Sequence, residues 1–317
     1  MMPRRRSLLL LPWLLTAGCA PEPTTGAATS TTTPAAHAPA GRPEMVRLSF
    51  LPDDNVAAVE AIAAPLADYL GAAIGIPVRY ERAIDYQACV NGLASNRLDL
   101  VWLGGVTFCQ ARERTGGQVE VVACRDIDLQ FKSYVVANHA VVAAGRLRAV
   151  DDLQQWRGKL GDLTFSFGAK DSTSGHIMPR HFLLAAGIQP EHDFAAAPLY
   201  QLLGGHAATF RAVASGQVDL GVMNYAVYEK QAAADRERAP VVHTTPPFVD
   251  YCFGAHRRLG PATITQLRAA LLALDLAQPA HAAILQAWKC QRFVAADATR
   301  WDAMAKVLAE LPKDFLK

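Results

Sequence analysis

Charge of either sign is scarce in this sequence: Asp, Glu, Lys and Arg make up only 19% of its 317 residues, and the formal net charge is +2. No basic stripe is present, which argues against a nucleic-acid partner. Any charged ligand must therefore be selected by local geometry and not by the field of the whole molecule. Cysteine is sparse as well, with six residues, and none of them forms a C-x-x-C pair, so the spacing carries no thiolate metal site. A G-x-S-x-G elbow is missing, and nothing marks a third member that would join Ser172 and His176 as an activated nucleophile. An enzyme is not expected.

What is present begins with a targeting segment. Arg4, Arg5 and Arg6, the apolar run 7–15 and Thr16-Ala17-Gly18-Cys19 follow the order of a secretory signal: basic, apolar, small. The run is too short for a permanent membrane span of about 20 residues. Residues 1–18 are therefore expected to be a lipoprotein signal peptide, with Cys19 the lipidated N-terminus; ordinary secretion with Cys19 merely near the cut is the alternative. Residues 19–44 are mostly small residues with Pro and Thr, unable to bury enough apolar surface to offset their ordering entropy, and read as a flexible tether. Cleavage removes three arginines and no acid, taking the formal charge from +2 to −1. Five cysteines remain: Cys89, Cys109, Cys124, Cys252 and Cys290. An odd count in an oxidising compartment leaves at least one unpaired, and either buried thiols or one or two disulfides fit.

Beyond the tether, short apolar β-type runs alternate with helical spacings, the pattern of α/β architecture. Strands are expected at 46–51, 77–83, 98–103 and 118–124. Helices fall between them, one carrying Leu66, Tyr69, Leu70 and Ala73 at i, i+3, i+4 and i+7, the others near 85–95 and 106–114. After 131–138 a second series follows, with strands at 164–167, 197–202 and 218–222 and helices at 174–186, 207–215 and 225–234. The chain then passes 241–247 into a strand at 251–256 and a helical tail from 261. Two lobes are expected, 45–137 with 245–317 and 138–244. Crossings near 136–143 and 243–247 would form a hinge able to close on a ligand.

Two strand-to-helix junctions in the second lobe carry chemistry. Gly168-Ala169-Lys170-Asp171-Ser172-Thr173-Ser174-Gly175-His176 offers three hydroxyls at a helix start, where unpaired amides and the dipole favour an anion. A simple serine cap is the plainer alternative. Gly204-Gly205-His206 again opens a helix, with glycines that admit a ligand to the backbone and an imidazole donor; a lone histidine is otherwise a packing residue. In the first lobe, Tyr86 and Trp102 could each donate one hydrogen bond and wall the site, or simply fill the core.

Asp85-Tyr86, the stretch Leu98-Asp99-Leu100-Val101-Trp102-Leu103-Gly104-Gly105, Ser172-Thr173-Ser174-Gly175-His176, Gly205-His206, Gly216-Gln217-Val218-Asp219 and Thr245-Pro246-Pro247 together resemble the PhnD-type phosphonate, phosphite and selenate receptors of ABC importers. The resemblance implies a type II periplasmic-binding fold with a two-segment hinge. It implies a monomer that binds a small tetrahedral oxyanion in the periplasm and delivers it to a membrane permease, with no cofactor. The oxygens would be held by Ser172, Thr173, Ser174 and His206, with Tyr86 closing from the other lobe. Phosphonate receptors of the family carry a carboxylate in the stretch that here reads Met223-Asn224-Tyr225. A neutral Asn224 that can donate suits a fully deprotonated, selenate-like dianion over a protonated phosphonate. The competing readings are a zinc receptor using His176, His206 and His243, and a sensor lipoprotein that does not transport.

Overall fold

Val, Leu, Ile and Phe dominate the short runs, and runs buried on both faces need helices above and below them. The computed structural model describes residues 42–52, 56–201 and 205–312, all within one compact unit, Pro39–Lys317. The expected signal peptide, Cys19, most of the tether and Gly204 lie outside the described residues. At the end of the tether, Arg42 donates to the carbonyls of Ile74 and Gly75 at 2.6 and 3.0 Å, a cation at a helix C-terminus.

The chain contributes β1 (Val46–Phe50), β2 (Val78–Tyr80), β3 (Leu100–Leu103) and β4 (Val119–Arg125) before the first crossing. There follow β5 (Ser133–Ala137), β6 (Phe165–Phe167), β7 (Leu199–Tyr200), β8 (Leu220–Asn224) and β9 (Val241–Thr244), then β10 (Cys252–His256) and β11 (Phe293–Val294). One sheet has the order β11-β4-β10-β3-β1-β2 and the other β7-β6-β8-β5-β9. Strand β1 runs parallel to β2 and β3, whereas β10 returns antiparallel between β3 and β4. In the second sheet β6 is parallel to β7 and β8, and β5 is antiparallel to β8 and β9. Every residue of β3 and of β8 is buried, as central strands covered on both faces require. The tail helices Pro261–Leu272, Pro279–Ala287 and Asp302–Glu310 return to the first sheet, where Leu267, Leu271, Leu285 and Trp301 join the core of Leu48 and Leu66.

The junction between the lobes differs from the expected 137/138 boundary. Ser133–Ala137 is not part of the first lobe: it pairs with β8 and β9, and its Val135 and Ala137 are buried with Leu220 and Val222. The chain therefore crosses earlier, at 131–132, and returns at 245–250. Alternating residues announce a strand but do not say which sheet it joins. At the crossings Phe131 and Phe248 exchange backbone hydrogen bonds, both 2.8 Å, and the Ser133 amide donates to Thr245 Oγ1 at 2.9 Å. The expected helix at 225–234 is two short ones, Tyr225–Glu229 and Ala233–Arg238. Strand β11, only two residues long, was not anticipated.

Candidate functional site

The hydroxyl-rich turn opens wider than an α-helix. Residues Thr173–Ile177 form a π-turn, and the α-helix Met178–Ala185 continues from it with Pro179 early enough to cost no hydrogen bond. The amides of His176 and Ile177 both donate to the Ser172 carbonyl, at 3.1 and 3.0 Å. Ser172, Thr173 and Ser174 are all buried. Their hydroxyls do three different things. Ser172 Oγ accepts from the Gly175 amide at 2.9 Å and so acts as the cap. Thr173 Oγ1 accepts from the Val106 amide at 3.0 Å, reaching across to the first lobe. Ser174 Oγ lies beside the Asp250 carboxyl without forming a hydrogen bond of good geometry.

His206 is the second residue of the helix Gly205–Ala214, and Gly205 takes φ +56 to start it. The Asn224 amide donates to His206 Nδ1 at 3.3 Å, which leaves the ring proton on Nε2 as a donor. A Cβ at Gly175 would meet Ser172 Oγ at 2.8 Å and His206 Cε1 at 3.0 Å. The two helix starts therefore meet at one buried point, and only glycine fits between them.

A third helix start faces them. The Gly105–Arg114 helix of the first lobe gives its Gly105 amide to Asp250 Oδ1 at 3.1 Å and its Val106 amide to Thr173. A Cβ at Gly104 would stand 3.1 Å from Thr173 Oγ1 and 3.3 Å from Asp250 Oδ1. Asp250 is fully buried. Burial pushes its carboxyl up to about 7; the Gly105 amide and the Thr173 and Ser174 hydroxyls pull the other way, and the Asp128 charge adds to the rise. Sequence reasoning passed over Asp250, which falls between the second crossing and the next strand. The signal was a single carboxylate inside Phe248-Val249-Asp250-Tyr251-Cys252-Phe253, where a buried charge needs a reason.

Of the first-lobe candidates, Tyr86 begins the helix Tyr86–Ala94 and is buried in the core. Its neighbour Gln87 donates to Gln110, which donates to Asp171 just before Ser172, at 3.0 and 3.1 Å. Trp102 in β3 stacks on Tyr251, ring centroids 5.5 Å apart and planes 4° from parallel. Asn224 Oδ1 caps the helix Tyr225–Glu229 through the Val227 amide at 2.8 Å, and its Nδ2 points to Tyr251 Oη at 3.5 Å. Asn224, Trp102 and Tyr251 also line a cleft with Arg125, Phe131, Trp288, Lys230 and Lys289. The Arg125 charge is matched there by Asp128 at 2.7 Å.

His176 has both ring nitrogens engaged: Nδ1 with the Lys170 carbonyl at 2.6 Å and Nε2 with Arg180 Nε at 2.8 Å. Burial pushes its pKa down to about 4, so it stays neutral near pH 7. His243 Nδ1 bonds the Val150 carbonyl at 3.0 Å and the ring sits edge-on to Trp156. Among the described residues no group of three or more His, Cys, Asp or Glu could hold a metal ion, and the zinc reading has no site.

Residues 48–301 match the family described as the periplasmic substrate-binding protein of phosphonate ABC transporters. A probable ABC transporter phosphite binding protein, PhnD1, from Prochlorococcus marinus is 31% identical over 278 residues, covering 86% of this chain and 91% of the relative. The phosphonates-binding periplasmic protein of Escherichia coli is 29% identical over 153 residues, 48% of this chain and 42% of its own length. Among solved structures, PhnD1 from Prochlorococcus marinus in complex with methylphosphonate superimposes with a TM-score of 0.77 at 30% identity, covering 84% of this chain and 99% of that one. A binding protein component of a Pseudomonas aeruginosa ABC phosphonate transporter gives 0.71 at 18% identity, covering 86% and 91%; this shares the fold. The chain belongs to the family of extracytoplasmic substrate-binding proteins of phosphonate ABC transporters, which bind and deliver and are not enzymes.

Proposed function

We propose that this protein captures a tetrahedral oxyanion of the phosphite and phosphonate class between its lobes and passes it, as a lipid-anchored monomer, to an ABC permease in the cytoplasmic membrane. The observation that carries the reading is that the buried Ser172–Ser174 turn meets the His206 helix start at Gly175 and the Gly105 helix start through Thr173. Hydroxyls and an imidazole N–H there supply donors in the number that a desolvated anion demands. Tyr86 would close from the first lobe. The relatives named for phosphite and phosphonate binding, and the neighbour holding methylphosphonate, support the same class.

The protonation state of the ligand divides the reading. A neutral Asn224 favours a fully deprotonated, selenate-like dianion, whereas Asp250 brings a carboxyl group beside the Ser174 hydroxyl. When ionised, Asp250 repels a dianion and accepts from a ligand that keeps one proton; burial pushes its carboxyl up to about 7, so it tips the preference to a phosphonate or phosphite over selenate at and above that pH. Calorimetry with phosphite, methylphosphonate and selenate at pH 7 tests both points. The first two should bind, and Thr173→Ala or His206→Ala should weaken them by about 1–3 kcal/mol. Unchanged affinity in both variants removes the site from these residues.

A further inference from the structure

The hydroxyl turn is tied to the first lobe along one face of the Gly105–Arg114 helix. Val106 and Gln110 stand at i and i+4 on that helix. The Val106 amide donates to Thr173 Oγ1 at 3.0 Å, and Gln110 Nε2 donates to Asp171 Oδ1 at 3.1 Å. Gln110 is buried, and Gln87, from the helix Tyr86–Ala94, donates to its Oε1 at 3.0 Å. A relay of side chains therefore runs from the Tyr86 helix, through Gln110, to the residue before the Ser172 cap. Its polarity is set at the Asp171 end. A carboxylate only accepts, so Gln110 must turn its amide nitrogen to Asp171 and its oxygen to Gln87, and Gln87 must give its nitrogen to Gln110. The Gln87 oxygen is left over: it is buried and has no hydrogen-bond donor among the described residues. A buried acceptor left unmet is costly. The opposite arrangement of the two amides, with Gln110 donating to the Gln87 oxygen, would meet it inside the first lobe alone. The observed arrangement is thus one that only the contact with Asp171 selects.

We infer that Gln110 is a positioning residue that latches the closed form: it acts by holding Asp171, and with it the Ser172–Ser174 turn, against the first lobe. The inference rests on the reading of an oxyanion held between the lobes and adds to it the contact that sets how long the ligand stays. The bond joins residues of different lobes, so it breaks when they part and forms again when they close. Its acceptor is a carboxylate, and such charge-assisted bonds are about twice as strong as neutral ones. Opening frees the Gln110 amide to turn to the Gln87 oxygen, which offsets part of the loss. The closed form is favoured without being locked. Encounter with the ligand precedes closing, so the latch bears on release and not on capture.

Gln110→Glu isolates the latch. A glutamate keeps the side-chain length and the acceptor for Gln87 but sets a second carboxylate against Asp171, where the two repel. On the full chain, calorimetry with methylphosphonate should show binding weakened about tenfold or more, the scale of a lost charge-assisted hydrogen bond. Stopped-flow tryptophan fluorescence should place that loss in faster dissociation, with the association rate within about threefold of the unaltered protein. Adding Asp171→Asn gives the new carboxylate a donor again, so the double variant should return to within about threefold of the unaltered affinity. Gln110→Met, which deletes the donor without adding charge, should also speed dissociation and serves if the charged variant does not fold. A folded Gln110→Glu or Gln110→Met variant that releases methylphosphonate at the unaltered rate overturns the inference and leaves the oxyanion reading standing. So does a double variant no tighter than Gln110→Glu alone. If neither methylphosphonate nor phosphite binds the unaltered protein, the oxyanion reading itself fails and takes the inference with it.

Discussion

Gly175 is the point on which two separate stretches of sequence depend, since a single added methyl would overlap both Ser172 Oγ and the His206 ring. Gly175→Ala should therefore destabilise by about 1–3 kcal/mol, the usual range for an overpacked site, and should weaken oxyanion binding more than a remote core variant of equal stability does. Thermal unfolding together with calorimetry measures the pair; an affinity that merely tracks stability would mean that the turn and His206 do not act as one site. The cysteines make a separate case. Cys109, Cys124, Cys252 and Cys290 are free thiols, and Cys89 is a thiol whose Sγ donates to the Phe50 carbonyl at 3.5 Å. Burial pushes Cys109, Cys124 and Cys290 up to about 12 and Cys252 well above its ordinary value. The thiolate is the reactive form, so iodoacetamide at pH 8 should leave these four unlabelled in the folded protein and label them in urea, as mass spectrometry would read. At this scale the sequence exposed Ser172–Ser174 and His206 because their spacing places them at helix starts. Asp250 stayed hidden because its role comes from residues 105 and 173, far away in the chain.

Between residue and molecule, the segment that ends β4 and enters the first crossing is held by a buried ion pair. Asp128 accepts from the Arg125 amide, Nε and Nη2 at 2.9, 2.9 and 2.7 Å, and its carbonyl accepts from the Asp250 amide at 3.0 Å. Asp128→Ala would strand a buried guanidinium against Trp102 and Tyr251, and should cost about 3–5 kcal/mol in urea unfolding. Arg125→Met with Asp128→Leu, which removes both charges, should recover much of that loss. Alternating apolar runs made β1, β3, β4, β8 and β10 legible, and helix periodicity made their partners so. The lobe boundary was misplaced by β5, because its membership depends on pairing with β8 and β9, and those pairings are invisible in the local pattern. Strand β11 was missed for a related reason: two residues carry no period, and only the neighbouring β4 makes them a strand.

Across the whole molecule, two buried groups oppose each other as pH changes. Asp250 rises from 3.8 to about 7 on folding, so the folded protein holds that proton more tightly; its contribution to stability is complete below about pH 4 and is lost as pH climbs to 7. His176 falls from 6.5 to about 4, so the folded protein resists protonation; its contribution is complete above pH 6.5 and is lost as pH drops to 4. Each shift is worth on the order of 3–4 kcal/mol, and over pH 4 to 6.5 the two slopes cancel. A flat stability profile in the unaltered protein would therefore conceal both. Asp250→Asn removes one slope and leaves the other, so the variant should lose stability relative to the unaltered protein steadily as pH falls from 7 to 4. Urea unfolding at several pH values reads this as a difference that widens on acidification, with every other titrating group common to both chains. A difference that stays constant with pH would mean that the carboxyl at the meeting point of the three helices is ionised throughout, and a receptor with a fixed negative charge there would need its ligand to bring the proton.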